Sequence, residues 1–336
     1  LFGTNLIGLL RPVQQYAGAA FTGNKQQMAV AAAVLDATGK AYAESFKVFM
    51  HNWRQGLHKG RQTYVGRFDQ VKDFQDFKAL GKFVTEYGSD GNKMMYGFLN
   101  NVIDMNTSPL FRYSQNLMGA GDAFARTVIG RYTARLRAAQ EGIEKGIDIK
   151  NLTGYAQSQE QKFIDDIFTY DRHNMPKVTD KAAKFAGDEA TMTRELEGWQ
   201  RNFELVQQIP GARIFFPFIR TGMNAINLTF DHTPLTMAFG KYKDIMAGRN
   251  LEKYGLTALD LPAEQAMMKG RIVTGSAIAS MAAIAAAQGK LYGDLPVDKV
   301  EREGWKLAGI EPYTMQVGDK FVSYRDIEPF NTIIAT

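Results

Sequence analysis

Four histidines, two close glutamates and one run of small residues before an aspartate are the places where this sequence could do chemistry. His51 and His58 stand seven residues apart and would share a helix face, as the first half of a metal site does. No HExxH and no matched third ligand accompanies them. His173 and His232 stand alone. Glu195 and Glu197 sit in a charged helical stretch, where solvated charge is the expectation rather than an acid–base pair. "GAGDAF", residues 119–124, has small residues ahead of a helix but lacks the dinucleotide spacing and a preceding strand. GxxxxGK(S/T), GxSxG and SxxK do not occur. Cysteine is absent, which excludes disulfides, thiolate metal sites and cysteine nucleophiles. The expectation is a segment with no catalytic residue, no cofactor and no metal.

Two constellations suggest binding instead. Arg126, Arg131, Arg135 and Arg137 crowd one helical stretch, with Arg131 and Arg135 one turn apart. They are the candidate face for nucleic acid or an acidic partner. Residues 1–150 hold 19 Lys and Arg against 12 Asp and Glu, 19 − 12 = +7, out of a total of +5. A basic half can touch phosphates without reading sequence.

The second is "GRIVTGSAIASMAAIAAAQGKLYG", residues 270–293, uncharged from Ile272 to Gly289. A bilayer span needs about 20 apolar residues, and this run is near that minimum. It is also weakly hydrophobic: alanines dominate, and Thr274, Ser276, Ser280 and Gln288 are polar. Ile272, Gly275, Ala279 and Ala283 form the candidate membrane or helix-packing face, of the kind that lets backbones approach closely. A helix packed in protein, a helix that enters a membrane conditionally, and a constitutive span are all compatible with it. The expected behaviour is a packed helix in storage that enters a bilayer only after release. Lys269, Arg271 and Lys290 would then sit at the headgroups.

The elements that position these residues read as helices. Of the 336 residues, 45 % are apolar and 22 % charged, which is globular composition. Residues 40–58 place Ala43, Phe46, Phe49, Met50, Trp53 and Leu57 on one helical face. Residues 107–141 open on a cap ahead of Pro109 and repeat Phe124, Val128, Tyr132 and Leu136 every four. Gly142, Gly146 and "NLTG" mark a break near 142–155, and "DRHNMP" marks another near 171–176. Residues 179–209 read as a helix that starts at Thr179-Asp180 and stops at Pro210-Gly211. Residues 209–235 are apolar but broken by Arg213, Pro217 and Arg220, too broken to span a bilayer alone; a core segment where helices cross is expected, with a membrane hairpin as the alternative. Near the end, Tyr313 and Met315, then Phe321, Val322 and Tyr324, flank Gly318-Asp319 as a β-hairpin. The predicted fold is mainly α, multi-helix and multi-lobed, with that small C-terminal hairpin. Four regions are expected: an N-terminal helical region 1–105, a basic helical region 106–175, a helical region 176–260 holding the Pro-broken segment, and 261–336 with the small-residue helix and hairpin. The ends, Leu1 and "NTIIAT", are those expected of a slice of a longer polypeptide.

Four stretches, in order, resemble a known family. "NLMGAGDAFARTVIGRYTARLRAAQEG", the stretch from "AGDEATMTRELEGW" to "PFIRTGMNAINLTFDHTPL", the small-residue helix, and "GWKLAGIEPYTMQVGDKFVSYRDIEPF" are similar to the C-terminal-type region of large bacteriophage polyvalent proteins. These include internal virion, or DNA ejection, proteins of short-tailed phages. The resemblance covers roughly residues 105–330. It implies a structural virion protein packed in the capsid core near the portal, helping genome delivery across the host envelope. The alternatives it carries are a packaging segment of a giant virion-carried RNA polymerase and a head-carried antirestriction protein. Implied partners are the portal, other ejection proteins, further copies of the chain, non-specific DNA, and the host inner membrane after ejection. The implied locations are the virion interior, then the host periplasm or inner membrane. The family region has no catalytic residues to carry over. Fifteen methionines would suit helices that pack in one assembly and repack in another.

Overall fold

Proline has no amide to lose in the first turn of a helix, and Pro12 opens α1, Arg11–Phe21. Asn24 caps α2, Lys25–Asp36, its side chain accepting from the Gln27 amide at 3.0 Å. The long helices α3 (Thr38–Lys59) and α4 (Pro109–Glu144) follow, then α5 (Leu152–Ile167). Next come β1 (Phe168–Tyr170), β2 (Pro176–Val178) and α6 (Lys181–Ala190), which Asp180 caps by accepting from Ala183 N at 2.9 Å. Four helices lead on: α7 (Arg201–Val206), α8 (Ile219–Asp231), α9 (Gly240–Met246) and α10 (Leu261–Ala287). β3 (Leu291–Tyr292), α11 (Lys299–Leu307), β4 (Thr314–Val317), β5 (Lys320–Ser323) and α12 (Phe330–Ala335) complete the order. This computed structural model describes residues 10–59, 93, 109–196, 198–206, 219–325 and 330–335. The molecule is mostly helical with a small antiparallel three-stranded sheet near the C-terminus, in line with the predicted class.

The chain divides into two compact units. The first comprises residues 1–42, 125–196 and 220–336. Its main core joins Val30 and Ala33 of α2, Ala134 and Ala138 of α4, Phe163, Ile164 and Ile167 of α5, and Ala183 of α6. A second cluster gathers Ile245, Tyr254, Met267 and Met268. The second unit comprises residues 43–124 and 197–219. In it Ser45 and Val48 of α3 are buried, while Phe46, Phe49 and Trp53 stack ring on ring at 5.9 and 6.2 Å. Both units are assembled from stretches far apart in sequence, a division unlike four consecutive regions.

Several local expectations change. Among the described side chains of α3, residues 38–54, the buried ones are Ala41, Ser45 and Val48; Ala43 and Phe46 face solvent, Phe46 being 57 % exposed, and the expected Leu57 lies outside the described side chains. The aromatic stripe therefore packs on itself. "GAGDAF" lies inside α4 and forms no loop. The break expected near 142–155 falls between the end of α4 at Glu144 and the start of α5 at Leu152, with Gly146 at a left-handed φ of 74°, while Gly142 and Gly154 lie within the two helices. "DRHNMP" is the turn of a hairpin: Phe168 pairs with Val178 and Tyr170 with Pro176. Asp171 closes that turn by accepting from the amides of His173 and Met175 at 2.8 and 2.9 Å. The helix expected over 179–209 is two short ones, because Met192 and Gly198 take left-handed φ of 54° and 58°. The C-terminal hairpin is present as β4 and β5 around Gly318, and β3 adds a third strand, Leu291 against Met315. The cap ahead of Pro109, the stop at Pro210-Gly211, the break at Pro217 and Glu197 lie outside the described residues.

Candidate functional site

The charged side chains that α1, α6, α8, α9 and α10 bring together form one buried cluster in the first unit. Arg271 of α10 is 2 % exposed. One of its guanidinium nitrogens donates to Glu189 of α6 and to Asp231 of α8, the latter at 3.0 Å. Lys241 of α9 reaches the same two carboxylates at 3.3 and 3.1 Å. Arg11 of α1 donates to Glu189 at 3.2 Å and to Glu264 of α10 at 2.7 Å. Three cations thus face three carboxylates. Burial opposes ionisation of Glu189, but the charges of Arg271, Lys241 and Arg11 outweigh it and hold its carboxyl well below the ordinary range.

His232 completes this cluster. Its Nδ1 lies 2.7 Å from the Leu228 carbonyl oxygen. A carbonyl only accepts, so Nδ1 carries the proton and Nε2 accepts from the Gln14 amide at 2.8 Å. Gln14 in turn accepts from Nε of Arg271 at 3.4 Å. Burial, then the Arg271 charge, pushes the His232 pKa down to about 4. The ring meets Phe330 of α12 edge-on, centroids 5.2 Å apart.

Small residues bring the backbones close enough for this network. A Cβ on Gly270 would fall on the Gln14 carbonyl oxygen, one on Gly18 on that of Ala266, and one on Gly275 on that of His232. The first half of α10 is therefore a tight crossing with α1 and the end of α8. The second half is different. Ala279 and Ala283 are exposed, Met281 and Ile284 are 59 % and 58 % exposed, and only Ala282 and Ala285 are buried there. Of the predicted packing face, Gly275 packs, Ile272 is half-buried, and Ala279 and Ala283 face outward. The closest contacts fall earlier, at Gly270. α10 is long and apolar enough to cross a membrane, with mean hydropathy 1.4 over an 18-residue window of which 22 % is buried. Arg271, expected at headgroups, is instead the hub of the ion cluster.

The four arginines of α4 do not make an open face. Arg137 is 6 % exposed and grips two carboxylates in forked fashion: Asp260 at 2.8 and 2.9 Å, Asp180 at 3.0 and 3.2 Å. Asp260 is held by Thr257 through its amide and hydroxyl at 2.9 and 2.7 Å. Arg135, 2 % exposed, donates to Glu160 at 2.7 Å, and Lys40 reaches the same carboxylate at 2.7 Å. Arg126 pairs with Asp188 and donates to Thr193 at 2.9 Å. Arg131 lies 5.4 Å over the Phe168 ring. The acids that pair with Arg126, Arg135 and Arg137 include Glu160, Asp180, Asp188 and Asp260, 25 to 123 residues further along, so sequence spacing within α4 had no means of showing the pairs. The ion cluster was equally hidden, its members being spread from Arg11 to Arg271.

What this arrangement does is specify packing. Buried, mutually satisfied ion pairs cost about as much to desolvate as they return, but they strongly disfavour any arrangement that leaves one member unpaired. A cavity of about 60 Å³ between α1, α4, α6 and α10, edged by Arg11, Asp260 and Glu264, has room for waters rather than a metabolite. Among the described residues no group of three or more His, Asp or Glu could hold a metal. His51 is on α3, and the His58 side chain lies outside the described residues. No family model, no curated protein and no solved structure matches this chain.

Proposed function

We propose that this chain is a structural segment of a phage internal virion protein, packed in the capsid core near the portal and helping to deliver the genome across the host envelope. The observation that carries the reading is the division of α10. Its first half is locked by Gly270, Gly275 and Arg271, and its second leaves Met281, Ile284 and a row of alanines to solvent. A helix so built is held at one end and ready to meet a second partner at the other, as a protein that packs in one assembly and repacks in another requires. The ordered resemblance over roughly residues 105–330 supports the same reading. Its partners would be the portal, other ejection proteins and further copies of this chain, with the host inner membrane following release. The segment itself is assigned no catalysis.

An antibody against the chain tests this on purified particles and on fractionated cells after infection. The expected result is signal inside intact particles, then in the envelope fraction. Particles that lack the chain would end the reading. Peptidoglycan cleavage or nucleotide polymerisation by residues 1–336 alone would overturn the non-catalytic assignment.

A further inference from the structure

The surface made by α8, α9 and the turn between them is apolar where an ordinary solvent-facing surface is mixed. Ile226, Phe230, Leu235, Met237 and Phe239 are exposed by 47, 38, 60, 48 and 50 %. They are not loosely held. Leu228, His232, Thr236 and Ile245 of the same stretch are buried. Asn224 donates its amide to the carbonyls of Met192 and Arg194 at 3.1 and 2.8 Å. The Phe230 and Phe239 rings meet at 5.8 Å across the turn Pro234–Ala238, which leaves Leu235 and Met237 exposed at its tip. The apolar side chains are thus presented by a fixed frame.

Charge is as one-sided as polarity. Among residues 220–250, the exposed charged side chains are Lys243 and Arg249, both cationic. The two acids of the stretch are engaged: Asp231 pairs with Arg271 and Lys241, and half-buried Asp244 accepts from Tyr254 and Asn250 at 3.2 and 3.1 Å. Large apolar side chains bordered by cations, with no exposed acid between them, match an anionic lipid surface. Leu, Met and Phe side chains enter the acyl boundary while cations meet headgroup phosphates.

We propose that the 226–249 surface, with Leu235 and Met237 at its tip, docks this protein on anionic bilayers. The proposal deepens the virion reading, which already names the host membrane as a partner, by assigning the contact to this surface: a chain absent from particles that still bound vesicles would remove the first and leave the second.

Sedimentation of the full 336-residue chain with phosphatidylglycerol–phosphatidylcholine vesicles, and with phosphatidylcholine vesicles, tests it. Binding is expected to be stronger on the anionic vesicles. Leu235→Asp with Met237→Asp should weaken it at least about tenfold on the anionic vesicles. Lys243→Gln with Arg249→Gln should weaken it roughly 30-fold on anionic vesicles at low salt and leave phosphatidylcholine unaffected. Because all four positions are exposed, thermal unfolding should not shift and serves as the folding control. No binding to either vesicle overturns the proposal. So does binding unchanged in the Leu235/Met237 variant, or binding abolished only by Met281→Asp with Ile284→Asp.

Discussion

Gln14 and His232 share a single 2.8 Å hydrogen bond whose direction is set from both ends. Arg271 Nε–H claims the Gln14 oxygen, so the Gln14 amide must face His232, and His232 Nε2 must be unprotonated. A proton on Nε2 would set donor against donor at the crossing of α1, α8 and α10.

Stability should therefore depend on pH through His232. Its folded pKa lies near 4, below an unfolded value of about 6.5. The neutral ring contributes fully above about pH 6.5, and up to ~3 kcal/mol is lost as pH falls from there through 4. Glu189 acts in the same direction but only as pH falls below the ordinary carboxylate range. Chemical unfolding at pH 7 and pH 4.5 should show the loss. His232→Gln, which cannot titrate, should flatten the profile between those values even if its stability at pH 7 is lower.

Glycines of α1 and α10 should separate from glycines elsewhere. Gly18→Ala and Gly270→Ala place a Cβ in the partner's backbone and should each cost at least about 1–3 kcal/mol. Gly39→Ala and Gly154→Ala, in helices with nothing near the new methyl, should stabilise by up to ~1 kcal/mol. Melting curves of the four variants check the sign of each.

Arg137→Ala leaves Asp180 and Asp260 facing each other with no cation and should destabilise by roughly 3–5 kcal/mol. Arg135→Gln should also destabilise, by stripping a buried partner from Glu160. Any fall in DNA retention by these variants should track the folded fraction. A salt-dependent loss in fully folded Arg135 and Arg137 variants would contradict their internal role.

Ala283→Leu should change stability by less than about 0.5 kcal/mol, because Ala283 is exposed. Ala282→Leu, at a buried position, should cost about 1–3 kcal/mol instead. Equal penalties at both positions would mean that the outer face of α10 is covered.

Much of the helical pattern was legible from local chemistry. Pro109, the repeat Phe124, Val128, Tyr132 and Leu136, and the turn at Gly318 need only neighbours in sequence to be read. The aromatic stripe of α3 misled in part, because Phe46 stacks on Phe49 yet faces solvent, while Phe49 and Trp53 are half-buried. β3, two residues long, is a strand only because Met315 and Thr314 lie beside it. Met192 ends α6 where periodicity continues, because its carbonyl and that of Arg194 are held by Asn224, 32 and 30 residues away.

By itself the sequence determined the mainly helical class, the C-terminal hairpin and the small-residue character of 270–289, since these depend on propensities and spacings within a few turns. Only the tertiary structure decided what each charge and each glycine was for. Arg126, Arg131, Arg135 and Arg137 read as a basic face while their neighbours in sequence were all that could be seen. Arg135 and Arg137 are internal because carboxylates from α5, from the cap of α6 and from the loop before α10 reach them. The close contact belongs to Gly270 and Gly275 rather than Ala279 and Ala283 because α1 and the end of α8 cross α10 at the glycines, while Ala279 and Ala283 face outward. Ion pairing and backbone approach are properties of distance in space, and a chain of this length brings together residues as far apart as Arg11 and Glu264.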